Sequence, residues 1–152
     1  MKELDLAQRS HNELDREYAR RLYRATVRNH LAAIKRYTDL RRMNDGAYFL
    51  VIFGTFERYV TDRAATAVGL RTAKPSYQHR RAWETLWEGS KLKATFLNRV
   101  RILLDQKSAN FATLKNYYDV RNDLAHTGTT ATIFSIPNVV SDLKQVVKSM
   151  KK

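Results

Sequence analysis

Phe49-Leu50-Val51-Ile52-Phe53-Gly54-Thr55-Phe56-Glu57-Arg58-Tyr59-Val60 is the stretch that decides the fold class. Phe49, Ile52, Phe53, Phe56 and Val60 recur at steps of three and four, the spacing that lines one face of an α-helix. This is the strongest apolar stripe in the chain and predicts its core helix. Helical spacing continues on both sides, interrupted by only two prolines and five glycines. The expected class is all-α, a single-domain bundle of about five to six helices.

Upstream, from about residue 12 to residue 42, Leu14, Tyr18, Leu22 and Ala25 give way to Val27, Leu31 and Ile34. The change of phase predicts a bend or two buried faces in a long, charged helix. Asn44-Asp45-Gly46 predicts a break after it, and Gly69 the end of the core helix. Lys74-Pro75-Ser76 reads as a loop, followed by a short helix over 80–88 and a break at Gly89-Ser90. Further helices are expected over 94–106 and 109–126, with Gly128 closing the second. The β-branched stretch from Thr129 to Ile136 reads as extended or loop-like. Pro137 suits the first turn of a final helix through Val139, Val140, Leu143, Val146 and Val147. Residues 148–152 read as a frayed basic tail.

A chain of 152 residues, 43% hydrophobic, is long enough to bury one proper core. It has no cysteine, which excludes disulfides, thiolate catalysis and cysteine-ligated zinc and fits a reducing cytosol. Met1-Lys2-Glu3-Leu4-Asp5 lacks an apolar signal core, and no run approaches the roughly 18 apolar residues of a spanning helix. A cytoplasmic protein without a membrane partner is expected. The basic helix over 12–42 carries Glu13, Asp15 and Glu17 among its bases and reads as a solvated face. No His-Glu-x-x-His run, carboxylate cluster or phosphate-binding glycine loop is present, so neither a metal nor another cofactor is expected.

The 28 Lys and Arg outnumber the 15 Asp and Glu, a net charge of +13 that attracts a polyanion. The excess is uneven. From Arg71 to Arg101 the bases Arg71, Lys74, Arg80, Arg81, Lys91, Lys93, Arg99 and Arg101 face only Glu84 and Glu88. Tyr77, Trp83 and Trp87 lie among them, and aromatic faces between cations suit unpaired bases, which favours a single-stranded over a duplex nucleic acid. Arg80, Arg81, Lys91 and Lys93 are the RNA-binding candidates. A solvated basic face with packed tryptophans accounts for the same residues.

Tyr118-Asp119-Val120-Arg121-Asn122-Asp123-Leu124-Ala125-His126-Thr127-Gly128 brings an arginine, a carboxamide and a histidine to one helix end. Histidine supplies a proton acceptor for a ribose hydroxyl, and arginine supplies fixed charge for phosphate oxygens. Tyr118, Asn122 and His126 stand four residues apart and share a face, whereas Arg121 lies roughly 140° from His126 on an ideal helix. A two-fold homodimer would put two histidines and two arginines in one cleft, giving both an acid and a base. The same residues also serve as capping groups opposing the helix dipole.

Arg121-Asn122-Asp123-Leu124-Ala125-His126, with Gly128 close behind, resembles the arginine, polar residue and histidine signature of the HEPN superfamily of helical ribonucleases and RNA-binding domains. Leu50 to Val60, with Glu57 embedded, resembles the apolar helix of some members. The resemblance implies a metal-independent endoribonuclease in which the 2′-hydroxyl attacks the phosphate and leaves a 2′,3′-cyclic phosphate. It makes His126 the general acid or base, Arg121 the phosphate ligand and Asn122 the orienting group, in a homodimer acting as a toxin or antiphage effector restrained by an antitoxin or regulatory partner. Members with a nucleotidyltransferase antitoxin carry a tyrosine two residues after the histidine. This chain has Gly128 there, so control through that tyrosine is not expected. Other members have lost catalysis and serve as RNA-binding or adaptor modules, the alternative function here. Glu57, at the edge of the apolar stripe, and Tyr118 are supporting candidates. His11, His30 and His79 stand singly in the sequence and are assigned surface or core roles.

Overall fold

A computed structural model of the chain describes residues 2–74, 76–88 and 91–150, without the side chains of Trp87, Glu88 and Lys91. Pro75 and the expected break at Gly89-Ser90 lie outside the described residues. The fold is all-α. Six helices, α1 (Lys2–Val27), α2 (Leu31–Thr72), α3 (Tyr77–Glu84), α4 (Phe96–Leu103), α5 (Ala109–Thr127) and α6 (Ile136–Ser149), account for most of the described chain. Two short strands, β1 (Trp87–Glu88) and β2 (Lys91–Leu92), pair antiparallel between α3 and α4.

The expected break at Asn44-Asp45-Gly46 does not occur, because α2 runs through all three. Each residue has a tertiary use. Asn44 is buried, Asp45 accepts a hydrogen bond from His11 at 2.7 Å, and a Cβ on Gly46 would stand 3.4 Å from Leu124. Those contacts override the local turn preference. The helix also runs past Gly69 to Thr72. The chain turns instead at Arg28-Asn29-His30, where the phase of the apolar pattern changes. Asn29 adopts φ 49°, and the amides of Asn29 and His30 bond back to Thr26 O and Ala25 O at 3.0 and 2.9 Å, a Schellman closure. His30 then opens α2, its Nδ1 accepting the Ala33 amide at 3.1 Å. Val27 and Leu31, counted above in the apolar pattern, flank this turn and are exposed.

Two compact units divide the residues: 1–55 with 117–144, and 56–116 with 145–152. In the first, α1 and the start of α2 run antiparallel, since His11 bonds to Asp45 while Arg41 forks onto Asp15 at 2.7 and 3.0 Å. The stripe residues Phe49, Ile52 and Phe53 are fully buried there, with Leu4, Val139, Val140 and Leu143. Phe134, from the loop before α6, lies 4.7 Å from Phe49, centroid to centroid. Tyr117 on α5 donates to Asp142 on α6 at 2.6 Å, and Asp5 pairs with Lys144.

The second unit buries Phe56, Val60, Ala64 and Val68 of α2 with Phe96, Val100, Leu103 and Leu114. Here α3 starts and ends earlier than expected, Trp87 and Glu88 being drawn into the strand pair. Thr95 caps α4, accepting the Asn98 amide, and extended Leu104 ends it short of the expected 106. The basic tail is not frayed at its start: α6 continues to Ser149, Asn110 donates to Ser149 Oγ at 2.8 Å, and Met150 is buried.

Candidate functional site

The end of α5 presents the polar triplet. Val120 and Leu124 face the core and fix the rotation of the helix, and Gly128 ends it. The glycine adopts φ 72°, and its amide bonds to Leu124 O at 3.0 Å, an αL cap that only a residue free of Cβ strain adopts without penalty. Thr127 steadies the exit, its hydroxyl donating to Asp123 O at 2.8 Å and accepting the Thr129 amide at 3.2 Å.

Within this frame, Tyr118, Asn122 and His126 descend from core to solvent. Tyr118 is half-buried with its ring 6.5 Å from that of Phe53, so it acts as a packing residue at least on that side. Asn122 is half-buried, and its Oδ1 accepts from Arg121 Nη1 at 3.1 Å. His126 is exposed in the last turn, with no hydrogen-bond partner among the described residues. The structure therefore joins Arg121 to Asn122 and sets the imidazole one turn further on. An exposed imidazole is open to exchange a proton with a bound group, and a guanidinium bonded to a neighbouring carboxamide offers hydrogen-bond donors to an anion.

The remaining candidates lie in the other unit. Glu57 is half-buried on α2. Arg80 is held by Glu84 at 3.0 Å and stands 5.8 Å from the Tyr77 ring. Arg71 covers Trp83 at 4.6 Å, so the aromatic faces read above as stacking surfaces are partly used by intramolecular cation–π contacts. Arg81 and Lys93 are exposed, and the Lys91 side chain lies outside the described residues.

Three features escaped the sequence reading. His11 is buried and paired with Asp45, although nothing near it in sequence signals a partner. Tyr117 is bonded to Asp142, and burial together with that bond pushes its phenol above the usual value of 10. Arginines also gather at the α1–α2 turn, where the absence of any acid between Glu17 and Asp39 was the available signal. Among the described residues no three His, Asp or Glu side chains are grouped as metal ligands, and no helix is long and apolar enough to cross a membrane. Compared with protein-family models, curated proteins and solved structures, the chain matches none.

Proposed function

We propose that the chain is a HEPN-type, metal-independent endoribonuclease of the cytoplasm, working as a homodimer. The observation that carries this reading is the exposed, unpartnered imidazole of His126 one turn beyond the bonded Arg121–Asn122 pair. The imidazole takes the proton of a ribose 2′-hydroxyl, whose oxygen attacks the adjacent phosphorus. The 5′-oxygen leaves with a proton from a second acid, and a 2′,3′-cyclic phosphate remains. Arg121 stabilises the charge on the phosphoryl oxygens, and Asn122 holds the guanidinium in place. One chain supplies one such imidazole, so a second copy provides the partner acid. The net charge of +13 supports a polyanionic substrate. Unrestrained cutting of cellular RNA would make the protein a toxin or antiphage effector, held in check by a protein partner.

The test is incubation of wild-type and His126→Ala protein with labelled RNA and matching DNA in excess EDTA, followed by end-group analysis. Cleavage of RNA alone, ending in cyclic phosphate and lost in the variant, is expected. RNA bound by both proteins but left intact would replace this reading with a non-catalytic RNA-binding or adaptor module.

A further inference from the structure

We propose that the α1–α2 turn carries a second RNA site, a cleft that shares no residue with the His126 site and takes the phosphate and base of a single-stranded segment. It rests on the reading of RNA as the ligand. The cleft measures about 360 Å³ and is lined by Glu17, Arg21, Arg24, Arg28, His30 and Tyr37, with alanines at its floor. That volume lies at the small end of ligand pockets, the scale of one nucleotide rather than of a duplex face.

Its electrostatics are one-sided. Between Glu17 and Asp39 the chain has six bases, Arg20, Arg21, Arg24, Arg28, Lys35 and Arg36, and no acid. The one carboxylate of the lining is already engaged, since Arg21 donates to Glu17 at 2.7 Å and also bonds Tyr37. That bond holds the Glu17 carboxyl below its usual range. Neither Arg24 nor Arg28 forms an ion pair among the described residues, and Glu17, bonded to Arg21, is the one carboxylate near Arg24, so the lining keeps a net positive charge.

His30 adds a donor of fixed identity. A backbone amide can only donate, so the bond from Ala33 to Nδ1 places the proton of the neutral ring on Nε2. Tyr37 supplies an aromatic surface beside these cations, the pairing that suits a base next to its phosphate. Val27 and Leu31, which flank the turn, are 68% and 74% exposed, and Tyr23, one helical turn before Val27, is 70% exposed. Large apolar side chains open to water on the same cationic turn of chain favour contact with unstacked bases over a bare inorganic anion.

The experiment measures affinity in the His126→Ala background, where the RNA stays whole, so its outcome is independent of cleavage. Binding of a labelled 20-nucleotide oligouridine is followed by anisotropy across a salt series. Arg24→Glu/Arg28→Glu is compared with Arg9→Glu/Lys148→Glu, an equal charge change at exposed sites elsewhere, and folding of each is checked by circular dichroism and thermal melting. Arg24→Gln/Arg28→Gln serves if the reversal unfolds the chain. The cleft variant is expected to bind about 10-fold more weakly than the control. Its salt slope should fall by about 1.4, two phosphate contacts' worth on a single strand. Equal weakening of both variants overturns the site. So does unchanged RNA affinity with lost binding to vesicles of phosphatidylserine and phosphatidylcholine, which would assign the turn to an anionic lipid surface. If RNA stays uncut by the wild type while the cleft variant loses affinity, this site stands and the ribonuclease reading falls.

Discussion

His11 Nε2 donates to Oδ1 of Asp45 at 2.7 Å, fastening the middle of α1 to the point on α2 where the sequence reads most like a turn. The histidine is 5% exposed and edge-on to Tyr48 at 5.5 Å. A buried N–H that loses its acceptor keeps its desolvation penalty, so Asp45→Ala is expected to destabilise the protein by about 1–2 kcal/mol. Asp45→Asn keeps an acceptor oxygen and should lose less. Urea melts with a double-mutant cycle through His11→Ala give the coupling. A coupling indistinguishable from zero would show that α2 holds its path through Asn44-Asp45-Gly46 without this bond.

The exposed position of His126 separates a chemical role from a structural one. Removing a surface imidazole from a helix C-terminus costs about 0.5 kcal/mol, yet removing a proton-transfer group from the proposed reaction lowers turnover by a factor of about 10²–10⁴. His126→Ala is therefore expected to melt close to wild type while losing RNA cleavage. Arg121→Lys keeps the charge but not the planar fork, and a fall of about 10²-fold in kcat is expected. Retained cleavage in Arg121→Lys would mean that a point charge suffices at the phosphate.

Why the core stripe was legible and the helix ends were not follows from the range of the forces involved. Phe49, Ile52, Phe53, Phe56 and Val60 are all fully buried, because periodic apolar spacing is a local record of which face meets the core. Asn44-Asp45-Gly46 misled because its turn preference is worth only about 1 kcal/mol per residue, less than partners that lie far off in the chain, His11 and Leu124, can override. Conversely, Asn29 carried the real turn and gave a weaker local signal than a glycine would. At the site, Arg121, Asn122 and His126 were legible as residues of one helix end. The bond from Arg121 to Asn122 is between neighbours, and no spacing rule foretells it, since adjacent helical side chains diverge.

Tyr117 gives a pH dependence whose sign is fixed. Burial and the bond to Asp142 raise the phenol above its usual value of 10, so the native state holds this proton more tightly than the unfolded chain. The stabilisation is fully present below about pH 10 and is lost as pH rises above it toward the folded value. Tyr117→Phe should be less stable than wild type at pH 7 by about 1 kcal/mol. The gap should narrow as pH passes 10, measured by denaturant melts of both proteins side by side, which cancels the titration of the other tyrosines and of lysines. A gap that stays constant through pH 11 would show that the bond to Asp142 does not hold the proton.

Two glycines should respond oppositely to alanine. Gly54 lies inside α2, and a Cβ there would meet nothing within 4 Å, so Gly54→Ala gains helix propensity at no steric penalty and should stabilise by about 0.5–1 kcal/mol. Gly128 also has open space around its Cβ direction, but its φ of 72° strains any L side chain. Gly128→Ala should lose about 1–2 kcal/mol, or relieve the strain by unwinding the last turn of α5. That second route would displace His126 and not only lower the melting temperature, so the two routes differ in what they do to the proposed cleavage. Loss of stability with kcat intact would make Gly128 a helix cap alone. Loss of kcat beyond the unfolded fraction would mean that the αL turn after His126 sets the position of the imidazole.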